Sequence, residues 1–190
     1  MNKDKSYFKH NTAIVESENI GKDTRIWAFA HIMENVKIGE RCNIGENCFI
    51  ESGVVIGDDV IVKNNIAIYD GVTIGDGVFL GPNVVFTNDI EPRSLFPKKL
   101  ATTKIKKGAS IGANSTIIAS RIIGSYCTIG AGSVVTKDIS DHRLAYGNPA
   151  RLHGWVCVCG KKLVFKNDQI ECICGREYKL INEQKIIQES

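Results

Sequence analysis

A large apolar residue recurs at every sixth position over most of the first half of the chain. The series is Ile14, Ile20, Ile26, Ile32, Ile38, Ile44, Ile50, Ile56, Val62, Ile68, Ile74, Leu80 and Phe86. It breaks there and resumes nineteen residues on as Ile105, Ile111, Ile117, Ile123, Ile129 and Val135. A helix would repeat its apolar face every 3.6 residues and a half-buried strand every second one. Period six fits neither as a continuous element. It predicts short strands joined by tight corners and stacked into an all-β, parallel β-helix. A second slot, four residues after each large one, holds Thr24, Ala30, Val36, Cys42, Cys48, Val54, Val60, Ile66, Val72, Val78 and Val84, then Ala109, Ser115, Arg121, Cys127 and Ser133. Small and β-branched residues suit a narrow interior. Arg121 is the misfit, expected where the interior is open or the coil deformed. Directly after the large residue stands Gly21, Gly39, Gly45, Gly57, Gly75, Gly81, Gly112, Gly124 or Gly130, expected to relieve crowding at a sharp turn. Each buried aliphatic contributes about 1.5–3 kcal/mol before entropy is subtracted, so no hexad stands alone.

This hexad pattern resembles the hexapeptide-repeat acyltransferases. The resemblance implies a left-handed coil of three hexads per turn, where the usual crossover preference would give a right-handed one. On that reading the hexads make a little over six coils. The resemblance further implies a homotrimer with sites at subunit interfaces. The chain of 190 residues has room for one solenoid domain, 1–150, interrupted by an excursion at 87–104, and a cysteine-rich extension, 151–190.

A net charge of +3 is too mild to point to nucleic acid. The basic residues gather only at Lys98, Lys99, Lys104, Lys106 and Lys107, either a solvated loop or an attractor for a polyphosphate. The N-terminus has no apolar signal core, and no stretch approaches the roughly 20 apolar residues of a membrane span. A soluble, cytoplasmic protein is expected, with no membrane partner.

Of seven cysteines, Cys42, Cys48 and Cys127 fall in the small interior slot and read as reduced core residues. Cys157, Cys159, Cys172 and Cys174 form CVCG and CICG pairs around a hairpin-like stretch. They look like a zinc ribbon, although each pair has one intervening residue where two are common. Either they hold a structural zinc or they are four free thiols. In neither case is an open coordination position left for catalysis.

Eighteen residues separate Phe86 from Ile105, and their two prolines and polar content mark an excursion from the coil. Loops on a rigid scaffold are favoured sites of function. The runs GPNVVFTND at 81–89 and EPRS at 91–94 are similar to acyltransferases that N-acetylate the 3-amino group of nucleotide-linked 3-amino-3-deoxy sugars. HIMENVKIGERCNIGENCFIE at 31–51 and VKNNIAIYDGVTI at 62–74 fit the same subgroup. AGSVVTKDI at 131–139 and YGNPAR at 146–151 are general to the family. The resemblance implies acetyl-CoA as co-substrate and a nucleotide amino sugar as acceptor. The chain length and cysteine-rich tail resemble the enzymes of UDP-2-acetamido-3-amino-2,3-dideoxy-glucuronate, in surface polysaccharide synthesis; the alternative acceptor is a dTDP-3-amino-3,6-dideoxyhexose.

Asn88, at the asparagine of the FTN motif, is implied to hold the 3-amino group, or is a turn residue leaving the coil. Asp89 either takes a proton or is a solvated carboxylate. Arg93 suits a sugar carboxylate, or anchors the loop. His31 is a sugar or base contact, or an interface residue, and the subgroup implies no dedicated protein base. Lys63, Asn64, Asn65 and Tyr69 are expected to cluster below the loop as donors to phosphates and hydroxyls; packing at a subunit interface is the alternative for Tyr69. CoA is expected along the second block, on Gly112, Ala113, Ser120, Gly130 and Ala131, with Lys137, Asn148 and Arg151 toward its adenine and phosphates. A γ-type carbonic anhydrase would need three histidine ligands, and the repeats hold only His31 of the four histidines. A non-enzymatic solenoid would show outward Thr or Ser ladders, which are absent.

Overall fold

The computed structural model describes residues 6–96, 101–183 and 185–189. Lys98 and Lys99 of the basic cluster, and part of the excursion, lie outside the described residues. Among the described residues there is no helix, and hence none long and apolar enough to cross a membrane. The chain winds as a parallel β-solenoid with three faces. The first carries the strands Phe8–Lys9, Arg25–Ile26, Asn43–Ile44, Ile61–Val62, Phe79–Leu80, Ser110–Ile111 and Thr128–Ile129. The second carries Ile14–Val15, His31–Ile32, Phe49–Ile50 and Ala67–Ile68, then Val85–Phe86, Thr116–Ile117 and Val134–Val135. The third carries Asn19–Ile20, Lys37–Ile38, Val55–Ile56, Val72–Ile74, Thr103–Ile105 and Ile122–Ile123.

Two-residue strands suffice because each inward side chain stacks on its equivalent one coil away. From Ile20 onward every member of the six-residue series is buried, as is every residue of the small slot except Arg121. The first rung differs from expectation. Lys9 pairs with Ile26 and Val15 with Ile32, one residue short of the 18-residue spacing of the coils that follow, as between Ile20 and Ile38. With a side-chain period of two, a one-residue slip exchanges the faces. Val15 therefore takes the inward rung and Ile14 is 56% exposed.

The small slot also answers a polar requirement. Its hydroxyls and thiols donate to corner carbonyls of the next coil: Thr24 Oγ1 to Gly39 O at 2.8 Å, Cys42 Sγ to Gly57 O at 3.1 Å, Cys48 Sγ to Lys63 O at 3.1 Å and Ser115 Oγ to Gly130 O at 3.0 Å. These residues are thus small donors as well as small fillers, since buried carbonyls need partners. Burial raises the thiols of all three core cysteines, that of Cys127 to about 12. Arg121 escapes the interior at its corner. Its Nε donates to Ala119 O at 3.1 Å and Nη1 lies 3.9 Å from Asp138 Oδ1.

The sharp corners are not at the glycine slot. Left-handed φ values fall two residues later, at Asp23 (60°), Asn35 (60°), Asn47 (55°), Asp59 (57°), Asn65 (62°) and Asn83 (59°). Short polar side chains tolerate this region better than most others. Glycine directly after the large residue answers close approach instead: a Cβ on Gly39 would sit 2.6 Å from the backbone of Gly57. Corner amides also link coils, Asn47 Nδ2 donating to Asn65 Oδ1 and Asn65 Nδ2 to Asn83 Oδ1, both at 3.1 Å.

After the last coil the chain forms an antiparallel hairpin, Arg143–Gly147 with Ala150–Val156, which continues the first face through the pair Ile129 and Ala145. A short strand, Lys162–Leu163, pairs with Val156, and a separate three-stranded sheet follows, Gln169–Glu171, Glu177–Asn182 and Lys185–Gln188. A second small core gathers Trp155, Cys157, Leu163, Cys172, Tyr178 and Ile186.

Leu80, fully buried mid-solenoid, is the test of the stacked interior. Leu80→Ala should cost about 2–5 kcal/mol in denaturant unfolding, because stacked coils cannot collapse into the cavity. A cost below about 1 kcal/mol would mean the rungs are not rigidly held.

Candidate functional site

The excursion leaves and rejoins the solenoid at one corner. Phe79 pairs with Ser110, a separation of 31 residues where the coil before it has 18, Ile61 pairing with Phe79, so the loop adds 13. Its two roots are tied to the same two coils. Thr87 N–H donates to Ile117 O at 3.1 Å, and Thr87 Oγ1 accepts the Ala119 N–H at 2.8 Å. On the return, Ala101 N–H donates to Asn88 O at 3.2 Å, Thr103 N–H to Gly71 O at 2.9 Å, and Thr103 Oγ1 accepts the Ser120 N–H at 3.2 Å. Asn88 therefore has a fixed backbone and a half-buried side chain. Asp89 is also half-buried, whereas Ile90, Arg93, Leu95 and Phe96 are exposed. Arg93 Nη1 bonds the neighbouring Pro92 carbonyl at 2.8 Å.

The strand order sorts the expected residues onto two edges of the second face. The corner joining the second and third faces holds Tyr69, then Asn88 one coil on, then Ser120 and Lys137. Tyr69 packs its ring against the interior, and Glu51 Oε2 accepts the Asp70 N–H beside it at 2.9 Å. The corner joining the first and second faces holds Lys63 and Asn65, then Gly112 and Ala113, then Gly130 and Ala131. The expected cluster of Lys63, Asn64, Asn65 and Tyr69 is thus split, with Tyr69 on the far edge. Both ends of the Asn65 amide are engaged by Asn47 and Asn83.

Gly112 and Gly130 continue a bare edge that begins at Gly81. A Cβ on Gly81 would lie 2.6 Å from Ala113 N, and one on Gly130 would lie 2.7 Å from Tyr146 Cβ. Tyr146 stacks on His153 at 3.6 Å between centroids and 9° between planes. The hairpin above this edge carries Asn148 in its turn and Arg151 in its returning strand, the Arg151 Nη1 bonding Ala150 O at 3.2 Å. The Gly112 and Gly130 N–H groups bond Ile129 O and Ala145 O, both at 2.8 Å, so this edge is bare of side chains rather than of hydrogen bonds. It leads to a flat aromatic pair that can take a planar ring.

His31 lies on the flat face between the two edges. Its Nε2 is 3.0 Å from Glu16 Oε1, and its ring meets Phe49 edge-on at 5.6 Å. The His31 hydrogen bond holds the Glu16 carboxyl below the usual range, and the Glu34 N–H, at 3.2 Å, acts in the same direction. Sequence reading missed Glu16, because its approach to His31 depends on the one-residue slip before Ile20. It missed Thr87 as well, although Thr87 stands inside the quoted FTND motif. The four C-terminal cysteines come together, with all Sγ atoms within 4.8 Å of one another.

A model of the bacterial transferase hexapeptide family (six repeats) matches residues 19–52, 53–88 and 102–137. The dTDP-3-amino-3,6-dideoxy-α-D-galactopyranose 3-N-acetyltransferase of Aneurinibacillus thermoaerophilus is 60% identical over 173 residues, 90% of each chain. A hexapeptide-repeat acetyltransferase of Vibrio cholerae, solved with acetyl coenzyme A, superposes with a TM-score of 0.55 at 26% identity, over 60% of this chain and 68% of that one. An N-acyltransferase of Bacillus cereus, solved with dTDP-4-amino-4,6-dideoxyglucose and coenzyme A, shares the fold at TM-score 0.53 and 21% identity, over 76% of this chain and 78% of that one.

These matches correct the expected subgroup. Length and tail pointed to the UDP-glucuronate enzymes, but the Aneurinibacillus relative is matched over 90% of both chains. Chain length therefore does not separate the two substrate types, and the dTDP-sugar alternative is the better supported.

The loop root can be tested without substrate. Thr87→Val keeps the side-chain shape but strands the Ala119 N–H, at a cost of about 1–3 kcal/mol. Trypsin cleavage after Arg93 should accelerate several-fold while the solenoid's far-UV spectrum stays unchanged; unaltered cleavage would show that Thr87 does not hold the root.

Proposed function

This chain belongs to the bacterial hexapeptide-repeat transferases, and on that premise we propose that it transfers acetyl from acetyl-CoA to the 3-amino group of a dTDP-3-amino-3,6-dideoxyhexose, the galacto sugar first. The 60% identity across 90% of a relative with that named activity supports this reading. The Vibrio structure holding acetyl coenzyme A supports the donor. The product would serve surface polysaccharide assembly, in the cytoplasm where both co-substrates are made.

Chemically the task is modest. The neutral amine nitrogen attacks the thioester carbonyl carbon, and the tetrahedral intermediate collapses by breaking the C–S bond. The nitrogen's proton passes to the departing thiolate, directly or through solvent, giving an amide and free CoA. Holding the amine near the carbonyl carbon supplies several kcal/mol of the barrier reduction. Asn88 takes this role in our reading, because its backbone is tied to Ala101 and its side chain stands at the corner where the loop begins. Its amide oxygen would accept one amine N–H and turn the lone pair outward, with Asp89 beside it as a proton or ammonium partner. A backbone N–H aimed at the thioester oxygen would stabilise the oxyanion.

Pantetheine would run along the bare edge of Gly112, Ala113, Gly130 and Ala131. The Tyr146–His153 pair, Asn148 and Arg151 lie toward its adenine, and Ser120 and Lys137 meet it from the opposite corner. His31, Lys63 and Tyr69 would receive the nucleotide, while Asn65 shapes the corner rather than offering a free amide. A dideoxyhexose carries a methyl group at C6 and no carboxylate, so Arg93 is assigned to the diphosphate. The loop root and the bare glycine edge sit on opposite sides of one flat face. A second copy laid against that face would join them, and Ile14 and Val85 are exposed on it. We therefore assign a homotrimer with sites between subunits.

Thiol release from acetyl-CoA, followed with the dTDP-3-amino galacto sugar and the UDP-3-amino uronate side by side, decides the substrate. The dTDP sugar should be turned over and the uronate should not; the reverse preference would overturn the reading. Asn88→Ala should lower kcat by about 10²-fold with little change in acetyl-CoA KM, the magnitude expected for one lost positioning group.

A further inference from the structure

The two cysteine pairs fold into copies of one turn. In CVCGK the Cys157 N–H donates to Lys161 O at 2.9 Å, and the Gly160 N–H donates back to Cys157 O at 2.8 Å. In CICGR the Cys172 N–H donates to Arg176 O at 2.8 Å, and the Gly175 N–H to Cys172 O at 2.8 Å. The glycines adopt nearly the same left-handed φ, 84° and 82°, which a side chain would strain. Each turn presents two sulfurs on one side, and the two tips meet. Cys157 Sγ is 3.5 Å from Cys174 Sγ, and Cys159 Sγ is 3.7 Å from Cys172 Sγ, with all four within 4.8 Å. A tetrahedron of sulfurs about 2.3 Å from a central ion has edges of about 3.8 Å. The observed spacing fits that cage and is far beyond a disulfide bond length.

The surroundings suit sulfur bearing charge. Arg176 Nη1 points at Cys174 Sγ at 3.4 Å, the Cys159 N–H at Cys157 Sγ at 3.5 Å, and the Tyr178 hydroxyl lies 3.2 Å from Cys157 Sγ. Packing alone is thin here. The core of this unit is Trp155, Leu163, Tyr178 and Ile186 with two of the cysteines, and units of roughly 40 residues or fewer usually need a metal or disulfides.

We propose that Cys157, Cys159, Cys172 and Cys174 bind one Zn²⁺ as a closed tetrathiolate, and that this ion holds the C-terminal unit against the last coil. Thiolates select soft or borderline ions over Mg²⁺ and Ca²⁺, and four of them leave the zinc no position for substrate. The centre is coupled to the solenoid at short range. The strand before Cys157 bonds the last coil through the Val156 N–H to His142 O at 2.8 Å, and Tyr178 meets His142 edge-on at 5.7 Å. His142 in turn stacks on Tyr126 at 5.4 Å. That strand belongs to the hairpin bearing Asn148 and Arg151, so the ion would brace one end of it.

The test uses the full chain, purified under reducing conditions and given Zn²⁺ before desalting. Elemental analysis should find about one zinc per chain, and Co²⁺ put in its place should show the ligand-field and sulfur-to-metal charge-transfer bands of a tetrahedral tetrathiolate. A thiol-blocking mercurial should release the zinc stoichiometrically. Cys159→Ser/Cys174→Ser removes the two exposed ligands and should abolish binding. Cys127→Ala, a buried thiol outside the cluster, should retain the full metal complement. Zinc-free protein after reconstitution, metal retained by the double variant, iron in place of zinc, or a chain lighter by the two hydrogens of a disulfide would each overturn the assignment. None of these readouts depends on acetyl transfer.

Discussion

Everything in this chain depends on how closely one coil can lie on the next. Eighteen residues must return to nearly the same place, one strand spacing higher. At the corners this brings backbone against backbone, as at Gly39 over Gly57, where no side chain fits. Inside, it leaves a narrow shaft in which one large and one small side chain alternate. The spacing of the apolar residues, the small second slot and the bare corners are three consequences of that one distance. The same packing makes the interior unforgiving, because each rung is supported only by its neighbours above and below.

That rigidity explains how a loop adding 13 residues becomes a positioned element. It leaves and re-enters at a single corner, and its roots bond to coils that cannot shift independently. Thr87 and Thr103 each close an N–H of the returning coil, Ala119 and Ser120. The side chain just beyond Thr87 is Asn88. For the role proposed for it, holding an amine in place, a fixed backbone at the root matters more than any contact inside the loop.

Much of the solenoid was legible because a repeated constraint leaves a repeated trace. The failures have local causes. Ile14 keeps the sequence phase, but the segment before Ile20 is one residue short, and a period-two strand converts that into a change of face. The left-handed corners passed unnoticed because Asp, Asn and Gly share that slot with Phe29 and Arg41, which blurs the composition. Arg121 breaks the pattern of the small slot, yet its escape toward Ala119 O and Asp138 depends on which carbonyl and carboxylate the corner brings near, which spacing does not reveal. Of the candidate site, the motif at Asn88 and the break in the repeat were legible as a place where the chain leaves the coil. Which edge each residue occupies followed only from strand order, so Tyr69 parted from Lys63 and Asn65. Substrate choice was the least legible, since overall length and a cysteine tail are remote from any contact with a sugar.

Specificity in this architecture is a problem of edges. Among the described residues the inward positions of the shaft are taken by buried side chains, and each flat face offers little depth. A concave site has to be made where one surface meets another: loop against coil, or one copy against the next. On the proposed assignment Asn88 and the glycine edge stand on opposite sides of the second face, so each chain would present two half-sites to different neighbours. On that assignment, changing the acceptor sugar would need only a few residues on the loop and the facing edge, leaving the repeat untouched. A scaffold bound by its own spacing can for that reason carry many acceptors, and hexad pattern alone names the reaction class more readily than the sugar.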